Sequence, residues 1–260
     1  MNYHNIILFY LFFIIFIIYV IFLNKSEKIE NFENDRDHIP IYVINLDQNK
    51  DRWESITTEA KKQNINLKRF PAYFGKNLDE KKLIKDGILF KNHMLLKGQL
   101  GCAYSHYKLI KDKIEGKKQI ILVLEDDIVI QKNFKNRLSE ILSDLPEKWD
   151  LIFLGGCNVK GKLYKGKYII PTHFNYSYNL CTHAYIINPK SVKKVLKTLK
   201  PFYRPIDSQW RDHFKDLNVY YVFPNFILQN KDLISTRREI DGLKQSNYWK
   251  KHHDQVSIQN

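Results

Sequence analysis

Three carboxylates stand side by side at Glu125-Asp126-Asp127, directly after five apolar residues, Ile120 to Leu124. Like charges this close repel unless a cation compensates them. A hard divalent ion, Mg²⁺ or Mn²⁺, is the usual compensator. In an extended segment, residues i and i+2 point the same way. Glu125 and Asp127 are therefore expected to face one ligand set, with Asp126 turned to the other side. Two carboxylates on a metal leave positions open for phosphate oxygens, and a nucleoside diphosphate fits that description. A plainer alternative stays open here: acidic residues after a strand also cap the next helix or take lysine partners.

Other chemistries find less support. No Gly-x-Gly-x-x-Gly fingerprint, phosphate-binding loop with Gly-Lys-[Ser/Thr], or Gly-x-Ser-x-Gly elbow is present. Ser105 and His106 are adjacent on a predicted helix, so their side chains diverge. Cys102, Cys157 and Cys181 are far apart and lack zinc-site spacing. They read as small buried residues, with one pair bonded if the compartment is oxidising. The formal net charge is 42 − 28 = +14. That favours polyanions, anionic membranes or phosphate-bearing small substrates. The basic residues are spread along the chain without an RNA-binding or zinc-finger pattern, so no nucleic-acid partner is expected.

The carboxylates need a rigid support, and the pattern around them supplies one. Ile39 to Asp47 reads as a buried strand, Trp53 to Gln63 as a helix, and Leu67 to Phe70 as a strand. A loop follows from Pro71 to Asn77, then a short helix from Asp79 to Lys85. Lys97 to Ile114 is a stronger helix, with Gly98 and Gly101 near its start and Gly116 as its stop. Ile120 to Leu124 is a fully buried strand. Phe134 to Leu145 is a helix and Trp149 to Leu154 a strand ending at Gly155-Gly156. Gly161 to Tyr178 is a hairpin or loop. Thr182 to Ile187 is a strand, Pro189 to Leu199 a helix, and Asp207 caps a short helix to Phe214. Val219 to Val222 is the last strand, and the tail after Asn230 shows no clear period. The alternation predicts an α/β layered sheet. Ligands of such sheets bind beyond the carboxyl ends of the strands. Asn45-Leu46-Asp47, the acidic triplet and Gly155-Gly156 all fall at such ends.

The N-terminus reads differently. Ile6 to Leu23 is a run of 18 residues without a charge. As a helix it would span roughly 27 Å, close to the hydrocarbon thickness of a bilayer. An uncleaved single-pass transmembrane anchor is expected there, because the run lacks a basic leader and a small-residue cleavage site. Residues 1–5 are a short tail, 24–38 a polar stalk, and 39–260 the globular domain. Lys25 and Lys28 bias the domain toward the cytoplasmic side, with a lumenal placement still open.

Six blocks together resemble glycosyltransferase family 25, which includes bacterial lipopolysaccharide galactosyltransferases and collagen galactosyltransferases. They are VINLDQNKDRW (43–53), KGQLGCAYSH (97–106), LVLEDDI (122–128), WDLIFLGG (149–156), THAYIINPKSVKKVL (182–196) and PID (205–207). The resemblance implies a GT-A type fold with a mixed central sheet and one nucleotide-sugar-binding domain. It also implies a UDP-hexose donor, Mn²⁺ dependence, and inverting transfer of galactose or glucose to a hydroxyl of a glycan, glycolipid or protein. On that reading Glu125 and Asp127 hold the metal, and Asp126 belongs to the same donor-binding motif. Asn45 and Asp47 contact uracil or ribose, Arg52 adds a cation at the same edge, and Gly155 and His106 border the donor. Asp207 is expected to take the acceptor proton as general base, a helix cap being its plain alternative. His106 and His183 also have a structural reading. The competing function is a catalytically silent, membrane-tethered carbohydrate-binding or partner protein.

Overall fold

The structure, a computed structural model, describes residues 14, 16–17, 19, 39–175, 177–230, 233, 240, 242 and 256–259. The chain divides into two units, Met1–Ile39 and Pro40–Asn260. Ile14, Phe16, Ile17 and Tyr19 of the first are helical and exposed. The rest of the expected anchor, and the expected stalk, lie outside the described residues.

The second unit is built on a nine-stranded mixed sheet. Its strands are β1 (Ile41–Asn45), β2 (Leu67–Pro71), β3 (Leu122–Glu125), β5 (Leu151–Phe153), β6 (Val159–Tyr164), β7 (Tyr168–Pro171), β8 (Ala184–Ile187), β9 (Val219–Val222) and β11 (Val256–Gln259). They run in the order β11-β6-β7-β9-β5-β8-β3-β1-β2. β2, β1 and β3 are mutually parallel. β8 is antiparallel to both β3 and β5, and β9 is parallel to β5. A separate ribbon pairs β4 (Ile128–Val129) with β10 (Leu228–Gln229).

The centre of the sheet is apolar because its strands are covered on both faces. Leu122, Val123 and Leu124 are all fully buried, as are Ala184 to Ile187. Burying each such large side chain stabilises the fold by about 1.5–3 kcal/mol. The helices each bury one apolar face. In α4 (Phe134–Ser143), Phe134, Leu138, Ile141 and Leu142 are buried at helical spacing. The others are α1 (Lys50–Lys62), α2 (Glu80–Lys85), α3 (Lys97–Leu109), α5 (Val192–Leu199) and α6 (Ile206–Asp212). A π-helical turn, Ile110–Ile114, extends α3, and Gly116 at φ +77° ends it. Between β6 and β7, Lys165 and Gly166 both have positive φ. That conformation makes the tight hairpin turn.

The expectation of a transmembrane helix over Ile6–Leu23 is corrected, and with it the membrane localisation. Among the described residues no helix is long and apolar enough to cross a membrane. A span needs roughly 20 apolar residues in succession. The longest described α-helices, α1 and α3, have 13 residues each and carry lysines.

Candidate functional site

Strand β3 ends at Glu125, and Asp126 and Asp127 form a turn before β4. The two-residue alternation expected across the triplet therefore stops at its first member. All three carboxylates line one cleft, together with Leu46, Asn49 and Arg52. Its other wall is the Ala72–Gly75 segment and the start of α3, and its cavity volume is about 100 Å³. Ile240, the one described residue of its tail segment to do so, also lines the cleft.

Each carboxylate is anchored differently. Asp126 accepts from Asn45 Nδ2 at 2.7 Å and from Arg52 Nη1 at 3.2 Å. Asn45 is itself buried and saturated: its Oδ1 accepts from Arg69 Nε at 2.8 Å, and its Nδ2 also reaches Asn49 O at 3.0 Å. Asn45 thus positions Asp126 and does not line the cleft. Asp47 is exposed and pairs with Arg69 at 2.7 Å, outside the cleft lining. Arg52 lines the cleft.

Glu125 Oε1 accepts from Thr182 Oγ1 at 2.8 Å and lies 3.3 Å from His106 Nε2. Burial opposes its charge, but the His106 ring, His183 and the Thr182 hydroxyl outweigh burial and hold the carboxyl down at about 2. Asp127 behaves in the opposite way. Burial, with Glu125 and Asp126 beside it, pushes it up to about 7. Its side-chain partner is the Gln229 amide, and among the described residues no cation lies within ion-pair distance.

The glycines near α3 shape the wall. A Cβ on Gly101 would stand 2.7 Å from Tyr73 O, so only glycine lets the Ala72–Gly75 segment lie against the helix. Ser105 Oγ locks the same contact, accepting from Tyr73 N at 2.8 Å and donating to Gly101 O at 2.6 Å.

Gly155 and His183 belong to packing. A Cβ on Gly155 would meet Ile227 O at 1.9 Å, and His183 Nε2 is 3.0 Å from the same carbonyl. Gly155 is not among the cleft-lining residues. Asp207 is in the first turn of α6, behind Pro205 at the N-cap. Its Oδ1 accepts from Ser208 N at 2.7 Å and its Oδ2 from Cys181 N at 3.4 Å. It also stands outside the cleft lining. Cys157 and Cys181 form a disulfide with Cα atoms 5.5 Å apart.

The sequence pattern of glycosyltransferase family 25 (LPS biosynthesis protein) matches residues 38–210. The chain belongs to glycosyltransferase family 25. It is 29% identical over 204 residues to a glycosyltransferase 25 family member of Anopheles gambiae, covering 68% of this chain and 34% of that protein. It is 28% identical over 214 residues to procollagen galactosyltransferase 1-B of Xenopus laevis, covering 71% and 34%. A probable inactive glycosyltransferase 25 family member 3 of Bos taurus is 25% identical over 211 residues, covering 71% and 35%. The chain thus spans about a third of the length of these relatives.

Arg69, Thr182, Tyr185 and Gln229 were not foreseen, and each holds a residue of the acidic edge or its neighbour. Gln229 follows the apolar Phe226-Ile227-Leu228, the same hydrophobic-then-polar signal as Leu124-Glu125. That signal would have found it.

Proposed function

We propose that this family 25 chain is a metal-dependent hexosyltransferase using a UDP-sugar donor, with a hydroxyl of a glycan, glycolipid or protein as acceptor. The observation that carries the reading is Asp127. It is a cleft carboxylate beside two others, and its partner is a neutral amide. All-oxygen donors of this kind fit Mn²⁺ or Mg²⁺. Asp127 would hold the ion, with Glu125 adjoining. When bound, it would act as a Lewis acid toward the charge growing on the leaving diphosphate.

The chain's own residues do the rest. Asn45 and Arg52 fix Asp126, and the buried β3 fixes Glu125, so the acidic edge is preorganised. Leu46, Asn49 and Tyr73 border the space for the nucleoside. Asp207 is proposed as the base that takes the acceptor proton during inverting displacement. It connects to the donor side through the chain itself: Cys181 N bonds Asp207, and the next residue, Thr182, bonds Glu125. Galactose is the favoured sugar because relatives are named procollagen galactosyltransferases.

The bovine relative named probable inactive supports a second reading, a silent binding protein. One screen separates the two. Purified chain is offered UDP-hexoses with Mn²⁺ or with EDTA, and UDP release is measured. Metal-dependent turnover of one donor supports the enzyme. Donor binding with no turnover on any acceptor class supports the silent protein.

A further inference from the structure

Cys102 and His106 stand one helical turn apart on α3, and both line the cleft with Glu125. A thiol sulfur, an imidazole nitrogen and a carboxylate oxygen of these three residues all lie within 4.8 Å of one another. Cys102 is outside the disulfide. His106 Nε2 is buried, and its 3.3 Å contact with Glu125 Oε1 has ion-pair distance without hydrogen-bond geometry. A buried ring nitrogen left this way is costly unless a ligand completes it.

The surroundings hold the donors in place. His106 Nδ1 is 2.9 Å from the hydroxyl of the fully buried Tyr185. Glu125 Oε1 accepts from Thr182. Metal-ligating histidines characteristically use their second nitrogen in such a bond, which fixes the ring and its tautomer. The donor set is one sulfur, one nitrogen and one oxygen. It suits a borderline-soft ion, Zn²⁺, better than Mg²⁺ or Mn²⁺. Asp127, by contrast, offers oxygen only and is anchored from β10 by Gln229.

We infer that Cys102, His106 and Glu125 form a zinc site in the wall of the cleft, distinct from the hard-cation position at Asp127, with a fourth coordination position open to water or a phosphate oxygen. Binding displaces the Cys102 thiol proton to solvent, since the thiolate is the ligand. Zinc binding here does not require that the chain transfer sugar.

The test uses the purified full chain without reductant, titrated with CoCl₂ as a spectroscopic substitute and then with ZnCl₂ in competition. The expected result is a thiolate-to-cobalt charge-transfer band with the strong visible absorption of four-coordinate cobalt. It saturates at one ion per chain and is erased by zinc. Cys102→Ser removes the charge-transfer band, with Cys102→Ala as the second variant and circular dichroism as the check on folding. His106→Gln and Tyr185→Phe each weaken zinc binding by roughly 10-fold or more. Asp127→Asn leaves the cobalt spectrum unchanged while losing Mn²⁺-dependent UDP binding, so the two cation positions fail independently. No charge-transfer band in the wild-type chain overturns the site. So does a band that survives Cys102→Ser.

Discussion

Gln229 Nε2 reaches both carboxylate oxygens of Asp127, at 3.2 and 3.1 Å, across 102 residues of sequence. The β4–β10 ribbon makes this meeting possible, pairing Gln229 with Ile128, the residue after Asp127. Asn230 N also donates to the Asp127 carbonyl at 2.6 Å. Gln229 is therefore a positioning residue for the proposed metal ligand. Gln229→Leu should weaken Mn²⁺-dependent UDP binding by about 10–100-fold, the usual cost of losing a group that orients a ligand. Calorimetry with UDP and MnCl₂ measures it, and the circular dichroism of the variant should match the wild type.

The raised Asp127 makes a stability prediction with a definite sign. A carboxyl whose folded value is near 7 holds its proton in the folded chain where the unfolded chain has lost it, above about pH 4. Folding stability from this group falls as pH rises from about 4 to 7, and the penalty is complete above that. Asp127→Asn removes the penalty. Without metal, the variant should melt higher than wild type at pH 8 and at the same temperature near pH 4. Each kcal/mol of relief is worth roughly 2–4 °C. Thermal melts at the two pH values check it.

Asp207→Asn addresses the proposed base. Transfer should fall by roughly 10²–10⁴-fold, while donor binding stays at the wild-type level. The melting temperature should fall only slightly, because asparagine keeps the one oxygen that Ser208 N bonds at 2.7 Å and gives up only the longer 3.4 Å contact from Cys181 N. Initial rates at saturating acceptor decide the point, and a near wild-type rate removes Asp207 from the role.

Gly155→Ala separates packing from donor binding. The added Cβ would fall 1.9 Å from Ile227 O, so the backbone must shift. The expected result is a loss of about 1–3 kcal/mol in stability, the range for overpacking. It should appear as a lower denaturation midpoint. A variant of unchanged stability that binds donor poorly would return Gly155 to the donor site.

Much of this was legible in the sequence where one physical cause acts locally. The apolar run Ile120 to Leu124 announced a buried strand, which begins at Leu122 and carries its first carboxylate, Glu125, at its carboxyl end. The helical spacing of Leu100, Ala103, Tyr107, Ile110 and Ile114 likewise predicted α3. The direction of the three carboxylates was not legible, because a strand's end is set by pairing: β3 has partners only through Glu125. Asn45 read as a ligand contact, since nothing local announces that Arg69, 24 residues away, occupies its oxygen. The pairings of β4 with β10 and of β11 with β6 bring in short segments, Ile128–Val129, Leu228–Gln229 and Val256–Gln259, that the sequence pattern does not mark as strands. Only tertiary contact specifies them.

The central claim is that Asp127 holds a divalent cation that in turn binds the donor's diphosphate. Isothermal calorimetry of the full chain with UDP, in MnCl₂ and in EDTA, for wild type and Asp127→Asn, tests it most directly. The account predicts UDP binding by the wild type only with Mn²⁺, and loss of that dependence in a variant that remains folded by circular dichroism. Equal Mn²⁺-dependent affinity in the two proteins would contradict it.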